Sequence, residues 1–249
     1  MATIAEKFKA KLKFEIAELK KEIGPLEYAF WCIVRILMFV GSVDCLDSGD
    51  TGHLILQMWS NLGLLFVLPE LHILSRKWCF FARLSHHNQT IAALMVLLTS
   101  YLGNYRNLYG NLEAYDFYVH FFSGIVCVFV GYDLAKALAP SSADKFDTNI
   151  KTITGFGLSC FAAVFWEIYE FCFDAIMTSG TQAHTDEPEA ILAALIHPHA
   201  NQFPLFDTMT DLMAGFLGAV VGGFVFRIIL EAGEKKKAEM QKEKVTAVR

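Results

Sequence analysis

The chain holds no C-x-x-C pair. Its six cysteines, at 32, 45, 79, 127, 160 and 172, are scattered, and five fall inside long apolar runs. They read as small buried hydrophobes, with no paired-thiol motif among them. A secretory signal peptide is also missing: the first 22 residues are charged throughout and lack the apolar core a signal needs. No PSGH-type phosphatase triplet, no H-E-x-x-H and no G-x-S-x-G occurs, so three familiar hydrolase signatures are out. Neither an internal repeat nor a low-complexity stretch is evident. The most telling scarcity is of positive charge in particular places. Residues 47–52, 106–115 and 178–206 together hold one basic side chain, Arg106.

What is present is apolar. Of 249 residues 54% are hydrophobic, 22 of them Phe, and the mean hydropathy is +0.39. That is too apolar for an ordinary soluble domain. A membrane helix needs about 20 predominantly apolar residues. Six segments approach this, 29–46, 53–74, 90–105, 116–138, 152–177 and 207–230. The expected fold is therefore all-α, a polytopic membrane protein with six transmembrane helices. Residues 1–27 are expected as an amphipathic cytoplasmic or interfacial helix, 28–231 as the membrane domain, and 232–249 as a basic cytoplasmic tail. In the first segment Ile4, Phe8, Leu12, Ile16, Leu19 and Ile23 recur at helical spacing among lysines, which suits either an anionic membrane surface or a solvated helix. The net charge of −5 says little, because the charges are segregated.

Segregation gives orientation. With the N-terminus inside, the inner segments 1–28, 75–89, 139–151 and 231–249 hold six, three, two and six Lys or Arg. The positive-inside rule then sets both termini in the cytoplasm. The sequon at Asn88 falls on an inner loop and is discounted. The outer loop 178–206 is 29 residues long, carries His184, His197 and His199, and includes "EAILAALI", too short to span.

The charges inside the spans are few and patterned. "YDFYVHFFSG" puts Asp116 and His120 four apart, one turn on one face. "VFWEIYEFCFD" puts Glu167, Glu170 and Asp174 on one stripe, and "FDTMTDLMAG" puts Asp207 and Asp211 four apart. In the six-span topology all of these lie near the outer boundary, with His120, Glu167 and Asp211 within one or two turns of a common level. A carboxylate in hydrocarbon costs about 2.5–3.5 kcal/mol on insertion scales, so each must face the bundle interior and find a partner. The outer half offers almost no Arg or Lys. Protonation or bound cations are the remaining solutions, and oxygen plus imidazole donors suit Zn, Mn or Fe, oxygen alone Mg or Ca. The expected ligands of a divalent metal are Asp116, His120, Glu167, Glu170, Asp207 and Asp211, with Glu167 or Glu170 as general base. Asp116 and Asp207, at helix starts, also fit simple capping. Arg35 and Glu70 match in depth near the inner side and are expected to neutralise each other. Gly218 and Gly222 form a small-xxx-small pair for close helix contact.

These same segments carry a resemblance. D-x-x-x-H-F, W-E-x-x-E and D-T-x-x-D, in this order, are similar to the pattern of the YjdF-type bacterial inner-membrane proteins, with a more distant likeness to VanZ-like membrane proteins. The likeness covers the last three spans and implies Asp116, His120, Glu167, Glu170, Asp207 and Asp211 as the site, in a multi-pass protein of a bacterial inner membrane. Ala214-Gly215 departs from the pattern, which leads one to expect Asn there. The resemblance supports a site and not a chemistry.

Three classes of function fit. One is a metal-dependent hydrolase or transferase acting at the outer leaflet on a lipid or lipid-linked substrate. Another is a cation or proton transporter, against which stand the one-sided cluster and the lack of an inverted repeat. A third is an assembly factor or sensor. Membrane lipids are the expected partners, and nothing calls for nucleic acid.

Overall fold

A computed structural model describes residues 3–48, 52–75, 83–112, 114–138, 146–177 and 203–247. All regular structure among them is helical: α1 Ile4–Glu22, α2 Pro25–Ser48, α3 Gly52–Ser75, α4 His87–Val96 continuing into a π-helix Leu97–Tyr105, α5 Leu108–Asn111, α6 Tyr115–Leu138, α7 Thr148–Met177 and α8 Phe203–Ala247. Each apolar run of the sequence lies on a helix. Among the described residues four helices are long and apolar enough to cross a membrane, over Pro25–Ser48, Tyr115–Leu138, Thr148–Cys172 and Asp207–Glu243, and a shorter apolar stretch occupies Leu54–Phe66 of α3. The chain divides into two compact units, Met1–Val119 and His120–Arg249, the division falling one turn into α6.

In the first unit, α1 starts at a capping box in which Glu6 N donates to Thr3 Oγ1 and Thr3 N donates to Glu6 Oε2. Gly24 follows α1 and Pro25 opens α2, where its missing N–H leaves no helical bond unmade. The apolar stripe along α1 is only partly covered. Ile23 is buried and Leu12 and Leu19 half-buried, but Phe8 and Ile16 are exposed, with Phe14 beside them, while Glu15 is buried. In α2 the stripe does hold: Trp31, Val34, Met38, Gly41, Ser42 and Cys45 recur every three or four residues, and all are buried. They pack with Met58, Leu62 and Leu65 of α3 and Ala93 and Val96 of α4.

The Glu70 side chain, the expected partner of Arg35, lies outside the described residues, and the described contacts of Arg35 are with α3. Arg35 Nε and Nη2 donate to the Leu65 carbonyl at 3.2 and 2.7 Å, and its guanidinium lies 4.3 Å from the centre of the Phe66 ring. The reason is four residues along α3. Pro69 has no N–H, so the Leu65 carbonyl has no helical donor. Arg35 and Gln89, whose Nε2 donates at 2.8 Å, supply what the proline removed. Proline is tolerated within membrane helices on this condition, that neighbours satisfy the freed carbonyl.

The polar groups nearer the start of α2 are also linked. Glu22 accepts from Ser85 Oγ and from the His86 backbone at 3.0 Å, and its other oxygen is 2.6 Å from His86 Nδ1. Burial pushes the Glu22 carboxyl up, but its bonds to Ser85 and His86 outweigh that and hold it below the usual carboxylate value. Glu27 accepts from Thr90, which accepts in turn from Trp31 Nε1, and Glu27 also lies 2.9 Å from His87 Nδ1. Asn88, the discounted sequon residue, is buried. The π-helix is closed by Arg106 N donating to Tyr101 O, an i→i+5 bond at 2.9 Å. Gly103 has no room for a Cβ there, because the Tyr109 ring would stand 2.3 Å from it.

Candidate functional site

The second unit is a set of three helices brought together by glycine. A Cβ on Gly218 of α8 would fall 1.9 Å from the Phe121 carbonyl of α6, and one on Gly124 of α6 would fall 2.2 Å from the Gly215 carbonyl. Gly222 meets Ile125 in the same way, and farther along Phe129 packs edge-on against Phe226 at 5.2 Å. The paired numbers rise together, so α6 and α8 run parallel, backbone against backbone. α7 runs opposite to both. Gly155 of α7 sits against Val128, Ser159 Oγ donates to the Gly124 carbonyl at 2.8 Å, and Ala163 lies beside Gly215. The Gly218 and Gly222 pair expected from the sequence is thus one side of this seam. The departure at Ala214-Gly215 also has a reason. Ala214 is fully buried, and Gly215 faces Ala163 and the backbone of His120, so neither position has space for an amide side chain.

The seam ends where the charges begin. His120 precedes Phe121, Asp211 is one turn before Gly215, and Glu167 is one turn beyond Ala163, so close backbone contact carries all three to one level. His120, Glu167 and Asp211 are 8, 6 and 3% exposed, the depth at which an isolated charge is most costly. The imidazole stands between the carboxylates. Its Nδ1 is 3.9 Å from Glu167 Oε1, and its Nε2 is 3.8 Å from Asp211 Oδ2. Asp116 is one turn earlier on the continuous α6 and half-buried. Asp116, His120 and Asp211 each offer one donor atom, all within 4.8 Å of one another.

This donor set fits a divalent cation. Ligand atoms around a tetrahedral ion with bonds near 2.1 Å are roughly 3.4 Å apart, so the three need to draw in by about 1 Å. Two carboxylates and an imidazole suit Zn, Mn or Fe, and three protein donors leave a position open for water or substrate.

Of the six residues expected as ligands, Asp116, His120 and Asp211 form this group. Glu167 is beside it, at the other edge of the His120 ring. Glu170 turns to its own helix, accepting from Trp166 Nε1 at 2.7 Å. Asp207 is half-buried one turn before Asp211 and stands outside the three-residue group. The Asp174 side chain and His184, His197 and His199 lie outside the described residues. Trp166 was not singled out from the sequence. Its ring is 5.4 Å from that of Tyr169, on the turn of α7 that carries Glu167.

The opposite end of these helices is charged differently. Lys151 pairs with Glu234 at 3.6 Å and Arg227 with Glu231 at 2.9 Å. From Arg227 to Asp211 along α8, and from Lys151 to Glu167 along α7, is about sixteen residues, or ~24 Å. That is a little less than the ~30 Å hydrocarbon thickness.

Residues 27–232 match the model of a family described as "Predicted membrane protein (DUF2238)". The YjdF-type resemblance agrees with this match. No curated protein and no solved structure matches the chain, so the VanZ likeness rests on sequence pattern alone.

Proposed function

Because the chain belongs to the DUF2238 family of predicted membrane proteins, and is a multi-pass membrane protein with several long apolar helices, we propose that it binds a divalent cation through Asp116, His120 and Asp211 near the outer face of a bacterial inner membrane. α3, and α4 with its π-helix, complete six spans in this reading. Both termini are cytoplasmic, as the basic residues require. In this reading the charged pairs Lys151–Glu234 and Arg227–Glu231 are at the cytoplasmic boundary, and a cluster ~24 Å away suits a site just inside the outer one.

The observation that carries the proposal is the convergence of three donor atoms from α6 and α8 within 4.8 Å, with His120 and Asp211 buried. A cation there would offset the repulsion of buried carboxylates that no Lys or Arg accompanies on these helix segments. When bound, such an ion polarises a phosphoryl or carbonyl oxygen or lowers the pKa of a bound water. A site at the lipid boundary with an open position suits hydrolysis of, or transfer to, a lipid or lipid-linked substrate. A transport reading needs a second acidic set along the same three helices. Among the described residues their other end holds ion pairs instead.

Elemental analysis of the full-length protein, purified in detergent and exposed to Zn²⁺, Mn²⁺ or Fe²⁺, tests the reading. We expect close to one ion per chain in the wild type and none in Asp211→Asn or His120→Ala. A wild type that retains no metal under any of these conditions overturns it.

A further inference from the structure

The sequence groups Glu167 with the ligands, or makes it a base, because it shares their depth. The geometry points to a different role: we propose that Glu167 is the positioning residue of the cation centre, accepting the Nδ1–H of His120 and so presenting the Nε2 lone pair to the ion. This rests on the cation reading above.

An imidazole has two nitrogens on different edges of its ring, and one atom cannot serve both edges. His120 uses them separately. Nε2 is 3.8 Å from Asp211 Oδ2, a spacing natural for two ligands of one ion. Nδ1 is 3.9 Å from Glu167 Oε1, on the other edge, a facing pair about 1 Å short of a made hydrogen bond. The group of donors that lie mutually close contains Asp116, His120 and Asp211 and leaves Glu167 out. A ligand set drawn around Nε2 therefore has Glu167 behind the ring rather than across the ion.

A neutral imidazole carries one proton, and a carboxylate at Nδ1 selects the tautomer that leaves Nε2 free to bind metal. It also fixes ring orientation and raises ligand basicity, the usual function of a carboxylate behind a metal-bound histidine. Helix geometry supports the division. Asp116 and Asp211 are carried by α6 and α8, whose backbones touch, whereas Glu167 comes from α7, which runs the other way and approaches His120 from a separate side.

The test uses the full chain in detergent micelles, with Co²⁺ as probe. Cobalt uptake is followed by calorimetry and visible absorption, and the tautomer of ¹⁵N-histidine-labelled, metal-free protein by NMR. The wild type is expected to bind one Co²⁺ and to hold His120 as the Nδ1–H tautomer. Glu167→Gln, which keeps the shape, should still bind one equivalent, with affinity lower by roughly 10–100-fold, and should lose the Nδ1–H preference. Glu167→Asp, with its charge one methylene farther away, should fall between them. Asp211→Asn should abolish stoichiometric uptake. If Glu167→Gln also abolishes it, while melting as the wild type does, Glu167 is a ligand and the proposal is wrong. It is equally wrong if both affinity and tautomer are unchanged. A wild type that takes up no Co²⁺ removes the cation reading itself and this proposal with it, an outcome separate from the other two.

Discussion

Both units bury polar groups among apolar helices, and they do so for opposite reasons. In the first, the polar contacts of Arg35 among the described residues restore something the backbone lost. Pro69 deprives the Leu65 carbonyl of its donor, and Arg35 and Gln89 replace it. Glu22 and Glu27 each meet a histidine, and hydroxyl or backbone donors complete the set. In the second, the backbone needs nothing, because glycine lets the helices touch. There Glu167 and Asp211 flank His120, and no Lys or Arg comes from the same helix segments. A buried polar group that closes an account of hydrogen bonds is structural. A cluster rich in like charge at one level calls for a ligand.

The comparison breaks most severely at Gly218. A methyl group there would sit 1.9 Å from the Phe121 carbonyl, and neither backbone can yield without separating α6 from α8. Gly218→Ala should therefore cost at least the about 1–3 kcal/mol typical of overpacking. It should also lose the cation, because parting the helices parts His120 from Asp211. Thermal unfolding in micelles and Co²⁺ titration check both. A variant that melts normally and still binds would show that the seam does not set the site.

The structural half is tested by a cycle. Arg35→Met leaves the Leu65 carbonyl to Gln89 alone and should cost about 1–3 kcal/mol. Pro69→Ala returns an N–H to the place the helix expects one. The double variant should then be more stable than the two single effects predict, since the carbonyl no longer needs Arg35. Simple additivity in thermal unfolding would mean that Arg35 is retained for some other purpose.

These two regions were not equally legible in the sequence. Charge is rare inside the spans, so Asp116, His120, Glu167 and Asp211 stood out, and spacing gave their common face and depth. Spacing could not say which edge of the His120 ring each acid meets. That depends on the direction from which α7 arrives. Glu170 shared the stripe but bonds to Trp166, a contact within one turn that periodicity does not distinguish from a shared site. For Arg35 the sequence offers Glu70, whose side chain lies outside the described residues, as an opposite charge. The Leu65 carbonyl is invisible in a charge pattern, although Pro69, four residues later, is a signal that could have found it. Ser85, His86, His87 and Thr90 were overlooked because their partners, Glu22 and Glu27, lie about sixty residues away.

A smaller effect separates the units by pH. The Glu22 carboxyl is held below its ordinary value of 4.5. A carboxyl depressed by folding contributes stability that is present above its unfolded value and lost as pH falls through the lower, folded one. Glu22→Gln should therefore flatten the acid side of the stability curve below about pH 4.5. Melting temperatures of the two proteins between neutral pH and pH 3 make the comparison. Parallel curves would mean that the links to Ser85 and His86 do not hold the ionised form.

The smallest effect is the sharpest test of which face of α7 does the packing. Gly155 and Gly157 are two residues apart, so on a helix they point about 200° apart. A Cβ on Gly155 would stand 2.5 Å from the Val128 carbonyl, whereas one on Gly157 would meet nothing within 4 Å. Propensity alone favours Ala over Gly by about 0.8–1 kcal/mol at either position. If only propensity mattered, both substitutions would stabilise. The structure requires opposite signs, with Gly157→Ala stabilising by up to about 1 kcal/mol and Gly155→Ala destabilising through the clash. Thermal unfolding of the two single variants decides it. Like signs would place the α6–α7 contact on another face, and with it the approach of Glu167 to His120.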